Sequence, residues 1–198
     1  MISRPTVGWA IITYNMAYCI EKAWLSAKDY VDQILVGIDD KTTDNTEQWC
    51  KDHNVPYFHF HFKGFAPARN EVIDRLNTTW VFTLDPDETI LPSHGPAIRL
   101  LCEHGEREGV DSYYFVRHNW YDLEMTKERT DVYPDYHFRL FKRTLRYNGL
   151  VHEQPADARK VGFGAPLEIH HFNMYYCTAE DWKRKDALYA RLGKGEIP

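Results

Sequence analysis

Three things are missing from this chain, and each absence narrows what it can do. No apolar stretch is long enough to cross a bilayer and no signal-peptide pattern opens the sequence, so the expectation is a cytoplasmic protein with no membrane span. The four cysteines, Cys19, Cys50, Cys102 and Cys177, stand far apart and form no CxxC pair; they read as reduced, mostly buried thiols. There is no extended basic run, and the formal net charge is −5, which removes general nucleic-acid binding from consideration. Internal repeats, low-complexity tracts and linker-like segments are absent as well. At 198 residues one domain is the simplest account. What the chain does have is aromatic residues, 15% of the total and spread over the whole length, as expected of a packed globule.

The apolar pattern alternates between two periods. Residues 6–13 (TVGWAIIT) form a β-rich run, and a helical spacing follows through Ile20, Ala23, Trp24 and Ala27. Residues 33–38 (QILVGI) read as a second buried strand ending in Asp39 and Asp40. Residues 43–54 then read as helix, with Asp44 and Glu47 spaced as a capping box. Residues 57–62 alternate strictly, Phe58, Phe60 and Phe62 against Tyr57, His59 and His61. Pro67 suits a first helical turn, and Val72, Ile73 and Leu76 continue at helical spacing. Strand and helix in such short alternation predict an α/β fold with a parallel sheet and right-handed crossovers. Later the pattern predicts a helix near 95–104, strands over 112–120, 137–143 and 167–172, a polar loop over 122–135, and a closing helix over 178–192 with Thr178 as N-cap and Gly193 as stop signal.

The chain is organised around residues 80–88, WVFTLDPDE. An apolar strand stops abruptly in Asp85, Asp87 and Glu88. In extended backbone residues two apart point the same way, so Asp85 and Asp87 aim at one point. Pro86 fixes its own φ and keeps Asp85 out of helical geometry. Carboxylates that converge repel unless a cation sits between them, and hard oxygen ligands suit Mg²⁺ or Mn²⁺. Ligands in parallel sheets bind at the carboxyl ends of the strands. Tyr14–Asn15, Asp39–Asp40 and Asp85–Asp87 all fall there.

Seven segments, in order, carry a family resemblance. They are IITYN (11–15), IDDKTTDNT (38–46), APARN (66–70), LDPDE (84–88), YPDYHFRLFKR (133–143), VHE (151–153) and IHHF (169–172). Together the chain resembles an inverting family 2 glycosyltransferase, and its second half resembles the branch related to bacterial lipopolysaccharide-core glycosyltransferases. The resemblance implies a single GT-A (Rossmann-like) domain with a mixed, mostly parallel central sheet flanked by helices. Residues 1–90 would be the nucleotide-binding half and 91–198 the acceptor-binding half. Two departures stand out: Lys41 occupies a position where the family usually has glycine, and no separate Glu-Asp base motif appears.

By that resemblance the donor is a nucleotide sugar, a UDP-sugar first among them, and the cofactor a divalent cation, Mn²⁺ or Mg²⁺. Asp87 would ligate the cation directly, Asp85 would reach the ribose or a metal-bound water, and His171 would be a further ligand. His170 should face the opposite side of its strand. Asp39 or Asp40 would accept from uracil N3–H and ribose hydroxyls. Thr13 and Tyr14, with Asn15 beside them, would line the base pocket, and Arg69 offers a planar fork to phosphate or to the base edge. Inversion by single displacement needs a general base near the acceptor hydroxyl; Glu153 is the first candidate, then Asp135 and His152. His59 and His61 share a strand face, but no third ligand accompanies them. The acceptor carries a hydroxyl: a glycan, a lipid-linked glycan, a peptide and a modified base all fit. The rival readings are a degenerate module that binds sugar nucleotides without catalysis, and a nucleotidyltransferase on a related fold. The latter would want a Gly-rich basic loop after the first strand, where ITYNMAYC offers none.

Overall fold

The structure, a computed structural model, describes residues 4–149 and 154–196. Its frame is one mixed sheet. In chain order the first elements are β1 (Val7–Thr13), α1 (Ile20–Ala27), β2 (Gln33–Asp39), α2 (Thr46–Asp52), β3 (Tyr57–Phe60), α3 (Phe65–Arg75), β4 (Trp80–Thr83), β5 (Glu88–Ile90) and α4 (Pro96–Glu108). Then follow β6 (Ser112–Asn119), β7 (Asp135–Lys142), β8 (Arg146–Asn148), β9 (Gln154–Ala156), β10 (Val161–Phe163), β11 (Ile169–His171), α5 (Asn173–Tyr176) and α6 (Ala179–Gly193). The strand order is β3-β2-β1-β4-β7-β6-β11-β5, with β10 also paired to β6 and β8-β9 forming a separate ribbon. β3, β2, β1 and β4 run parallel; β7 is inserted antiparallel between β4 and β6, and β5 runs antiparallel to β11.

Side chains on a strand alternate between faces, and the core divides accordingly. Val7, Trp9 and Ile11 of β1, with Trp80 and Phe82 of β4, face one layer containing Ile20 and Ala23 of α1, Trp49 of α2, and Ile98 and Cys102 of α4. Ala10 and Val81 face the other layer with Val72 and Ile73 of α3, Phe141 and Leu145. A fully buried side chain such as Phe82 contributes roughly 1.5–3 kcal/mol. α4 approaches closely because residue 105 is glycine: a Cβ there would lie 2.4 Å from the Trp80 ring.

The sheet curls, and the carboxylate stretch is what closes it. In hydrogen-bond order three strands separate β4 from β5, which in a flat sheet would mean roughly 19 Å between them. In sequence only residues 84–87 separate them, and the Glu88 N–H donates to the Asp85 carbonyl at 2.9 Å in a tight turn. Such a turn holds its ends within about 7 Å. β4, β7, β6, β11 and β5 therefore bend into a partial barrel whose seam is Asp85–Glu88.

Most sequence expectations hold within a residue or two. The expected strands that end at Thr13, Asp39 and the start of the Asp85 turn are all present, as is the closing helix with Thr178 as N-cap in a capping box with Asp181. Others need correction. Asp44 and Glu47 form no capping box; Asp44 accepts instead from the Thr46 N–H at 3.0 Å and the Ala17 N–H at 2.9 Å, and Glu47 faces Tyr57 and His59. The third strand stops at Phe60, and Gly193 closes the last helix from within it. β5, β8, β9 and β10, three residues each, were not expected.

Candidate active site

Cross-strand register builds the inside of the partial barrel. β6 and β7 place Arg117 opposite Asp135, β6 and β11 place Asn119 beside His171, and β11 and β5 place His171 opposite Glu88. Neighbours in register share a face and touch. The Phe172 N–H donates to the Asp87 carbonyl at 2.9 Å, which pins the turn to the end of β11. This end of the interior is thus lined with charge, while Phe115, Ile169 and Ile90, two residues along the same strand faces, belong to the hydrocarbon core.

Those charges are matched group by group. Asp85 receives both ends of the Arg69 guanidinium, Nη1 at 2.8 Å and Nη2 at 3.1 Å, and Arg139 Nη2 at 3.2 Å. Burial would raise its carboxyl, but Arg69 and Arg139 outweigh that and hold it well below the usual carboxylate range. The Glu88 side chain, fully buried, accepts from Arg139 and from Arg117 Nη1 at 3.3 Å, and its other oxygen accepts from the Asp85 N–H at 3.0 Å. Asp135 accepts from Arg117, His137 and Asn119. Burial pushes its carboxyl up; His137, Arg117 and Asn119 pull it far below its ordinary value. Asp87 stands apart. Its side-chain partner is His171, Nε2 to Oδ2 at 3.3 Å, with side-chain exposures of only 7% and 12%. Burial raises the Asp87 carboxyl, and the histidine more than offsets it.

Two carboxylates gripping one cation is therefore not the arrangement seen: the repulsion expected between Asp85 and Asp87 is relieved by Arg69 and Arg139. Among the described residues no group of three or more His, Cys, Asp or Glu side chains gathers as a metal cluster. His171 and His170 do face opposite ways. His171 points to Asn119 and Asp87, whereas His170 stacks on His118 and Trp120. His59 and His61 are taken by Glu47 and Asp40.

The β1 and β2 ends lie side by side in the sheet. Thr13 is buried and its Oγ1 has no hydrogen-bond partner among the described residues. Tyr14 is half exposed. Asn15, at φ 52°, accepts from the Thr43 and Asp44 N–H groups at 2.7 and 3.2 Å, so it ties the two loops together. Asp39 is buried, which raises its carboxyl, and it accepts from the Lys41 N–H at 2.8 Å; exposed Asp40 faces His61 at 2.9 Å. Glu153 and His152 lie outside the described residues. The sequence reading passed over Arg117, Asn119, His137 and Arg139. The signal was present, since Asp135, His137 and Arg139 recur every second residue, as do Arg117 and Asn119.

A sequence model of the family described as glycosyl transferase family 2 matches residues 9–179. The chain belongs to that family. This family 2 chain is 26% identical over 191 residues to the SPbeta prophage-derived glycosyltransferase SunS of Bacillus subtilis (strain 168), covering 91% of the chain and 42% of that protein. It thus spans under half the length of that curated relative. Among solved structures it is similar to S. aureus TarS 1-349 in complex with UDP, with TM-score 0.62, 13% identity, and coverage of 94% of this chain and 65% of that one. Against the same fragment with UDP-GlcNAc the TM-score is 0.60 at 11% identity, covering 93% of this chain and 66% of that one. At such identities the likeness speaks to the fold, which is the GT-A fold expected of the family.

Proposed function

We propose that the chain transfers a sugar, with inversion, from a nucleoside-diphosphate sugar to an acceptor hydroxyl, at the carboxyl ends of β1, β2 and β4, where Thr13, Asp39 and the Asp85–Asp87 turn stand. Family membership supports the reaction class, and the UDP bound to TarS 1-349 favours a uridine donor. The observation that carries the reading is the Asp87–His171 pair. A charge-assisted N–H···O contact is usually about 2.7–2.9 Å, and this one is 3.3 Å. Adjacent ligands of an octahedral cation with bonds near 2.1 Å lie about 3 Å apart. An imidazole nitrogen and a carboxylate oxygen are both acceptable donors to Mn²⁺. Mg²⁺ and its relatives are held by few side chains, the remaining positions going to water and substrate phosphate. The residues present fit such an ion. When bound, it would neutralise the charge that gathers on the departing diphosphate.

The chain's own residues do the rest. Thr13 Oγ1, buried and unpaired among the described residues, is available to the base, and Asp39 accepts from base or ribose. Arg69 and Arg139 hold Asp85 in place beside Asp87. Asp135, gripped by Arg117, His137 and Asn119, is poorly suited to take a proton; the base falls to Glu153, with His152 behind it. The acceptor is a hydroxyl-bearing glycan, lipid-linked glycan, peptide or modified base.

The test is a thermal-shift panel of nucleotide sugars with and without Mn²⁺, followed by product analysis. A donor at 100 times its Kd stabilises by about 2.7 kcal/mol, roughly 5–10 °C for a chain of this size. The UDP-sugar shift should need Mn²⁺ and vanish in Asp87→Ala, and Glu153→Gln should keep the shift but lose turnover. A parent-sized, metal-independent response in Asp87→Ala would sink the proposal.

A further inference from the structure

The interior of the partial barrel contains a chain of hydrogen bonds whose directions can be deduced one from the next. Arg117 donates to Asp135 Oδ2 through Nε at 2.9 Å and through Nη2 at 2.8 Å, and His137 Nε2 lies 2.9 Å from Oδ1. An ionised carboxylate only accepts. The Asn119 side chain meets Asp135 Oδ2 at 3.0 Å, so its NH₂ must be the end that faces Asp135. Its carbonyl oxygen must then face the other way, toward His171 Nδ1 at 2.7 Å. That oxygen is an acceptor, so His171 carries a proton on Nδ1, and Nε2 is the nitrogen that faces Asp87 Oδ2, 3.3 Å away.

We propose that Asn119, oriented by Asp135, is a positioning residue: it fixes the His171 tautomer so that the Nε2 lone pair is turned toward a cation shared with Asp87. The ring nitrogen opposite the ligating one usually donates to a carboxylate, carbonyl or water, and that bond sets which tautomer is present. Here an amide stands between the histidine and the carboxylate. Asn119, His171 and Arg139 are all buried, and Asn119 and His171 are adjacent in strand register, so the bond is shielded from exchange with water. Asp135 thereby has a role that needs no proton transfer.

The proposal rests on the Asp87–His171 cation reading, and the test separates the two. The full chain is labelled with ¹⁵N-histidine and the protonated ring nitrogen of His171 is assigned by long-range ¹H–¹⁵N correlation without metal. Mn²⁺ affinity in the presence of UDP is measured in parallel by water-proton relaxation. The parent should show the Nδ1–H form. Asn119→Leu should mix the tautomers and weaken Mn²⁺ binding roughly 10–100-fold, with UDP affinity in the absence of metal unchanged. Because Asn119→Leu also takes a donor away from Asp135 Oδ2, a second variant guards against misfolding. Asn119→Asp keeps an oxygen acceptor facing the His171 Nδ1–H, and should restore both tautomer and affinity. An Nε2–H parent, or an Asn119→Leu protein with parental tautomer and Mn²⁺ affinity, overturns the proposal. If the parent itself binds no Mn²⁺ with UDP, the cation reading falls and this proposal falls with it. If the parent binds Mn²⁺ while Asn119→Leu changes neither readout, this proposal falls and the cation reading stands.

Discussion

Replacing Arg139 by methionine keeps most of the side-chain volume and deletes one buried charge. Arg139 is 4% exposed, its partner Glu88 is fully buried, and it also touches Asp85. The Glu88 carboxylate cannot turn out to water when its guanidinium goes, and the remaining Arg117 contact is a single one at 3.3 Å. Breaking a buried pair by removing one member costs about 3–5 kcal/mol, against a total stability of about 5–15 kcal/mol for a typical domain. Arg139→Met should therefore lower the urea midpoint by more than about 1 M, given slopes of about 1–3 kcal/mol per molar. The thermal midpoint should fall by roughly 6–20 °C. Arg107→Met is the control, because the Arg107–Glu108 pair is 67% and 47% exposed and such pairs contribute at most about 1 kcal/mol. Adding Glu88→Gln to Arg139→Met removes the stranded charge and should recover at least half of the loss. Arg139→Met within about 1 kcal/mol of the parent, or a double variant no more stable than the single one, would refute the claim that these charges are mutually dependent.

His170 accepts from the Trp120 indole N–H at 3.1 Å, and burial, with His118 and His94 nearby, pushes its imidazole down to about 4. Because the folded value lies below the unfolded one near 6.5, its contribution is fully present above about pH 6.5 and is lost as pH falls toward 4. An NMR titration should find the His170 ring neutral at pH 5.5, and His170→Phe should flatten the urea-midpoint profile between pH 6.5 and 4; a ring that is cationic at pH 6 contradicts this. Thr178 caps α6, accepting from the Asp181 N–H at 3.2 Å while Asp181 accepts from the Thr178 N–H at 2.9 Å. Thr178→Ala should cost about 1 kcal/mol, seen first as faster amide exchange in the opening turn of α6, and unchanged exchange there would argue against the cap.

The local rules reached as far as local interactions go. Val7–Thr13, Gln33–Asp39 and Trp80–Thr83 were legible because each is a dense β-branched or aromatic run bounded by polar residues, and a helix follows each of the first two before the next strand. Glu88–Ile90 was not, since three residues carry no periodicity and its partner His171 is 83 positions away in sequence. The same distance effect governs the site. The chemistry of Asp85 and Asp87 was visible, but their mutual repulsion was judged from the nearest residues alone. The arginines that relieve it are 16 and 54 positions from Asp85, on α3 and β7. Asp44 shows the converse failure. Its spacing to Glu47 satisfied a helix-capping pattern, while the fold spent both side chains on neighbouring loops and strands.

The hydrogen-bonded path from β1 through β4, β7 and β6 to β11 is unbroken, and β5, which belongs to the first 90 residues, is the last rung of the second half's ladder. No hinge line can run between residues 1–90 and the rest of the chain when each is stitched into the other. Freedom to move is then left to the connections at the strands' carboxyl ends, and the polar stretch between β6 and β7 is the longest of those described.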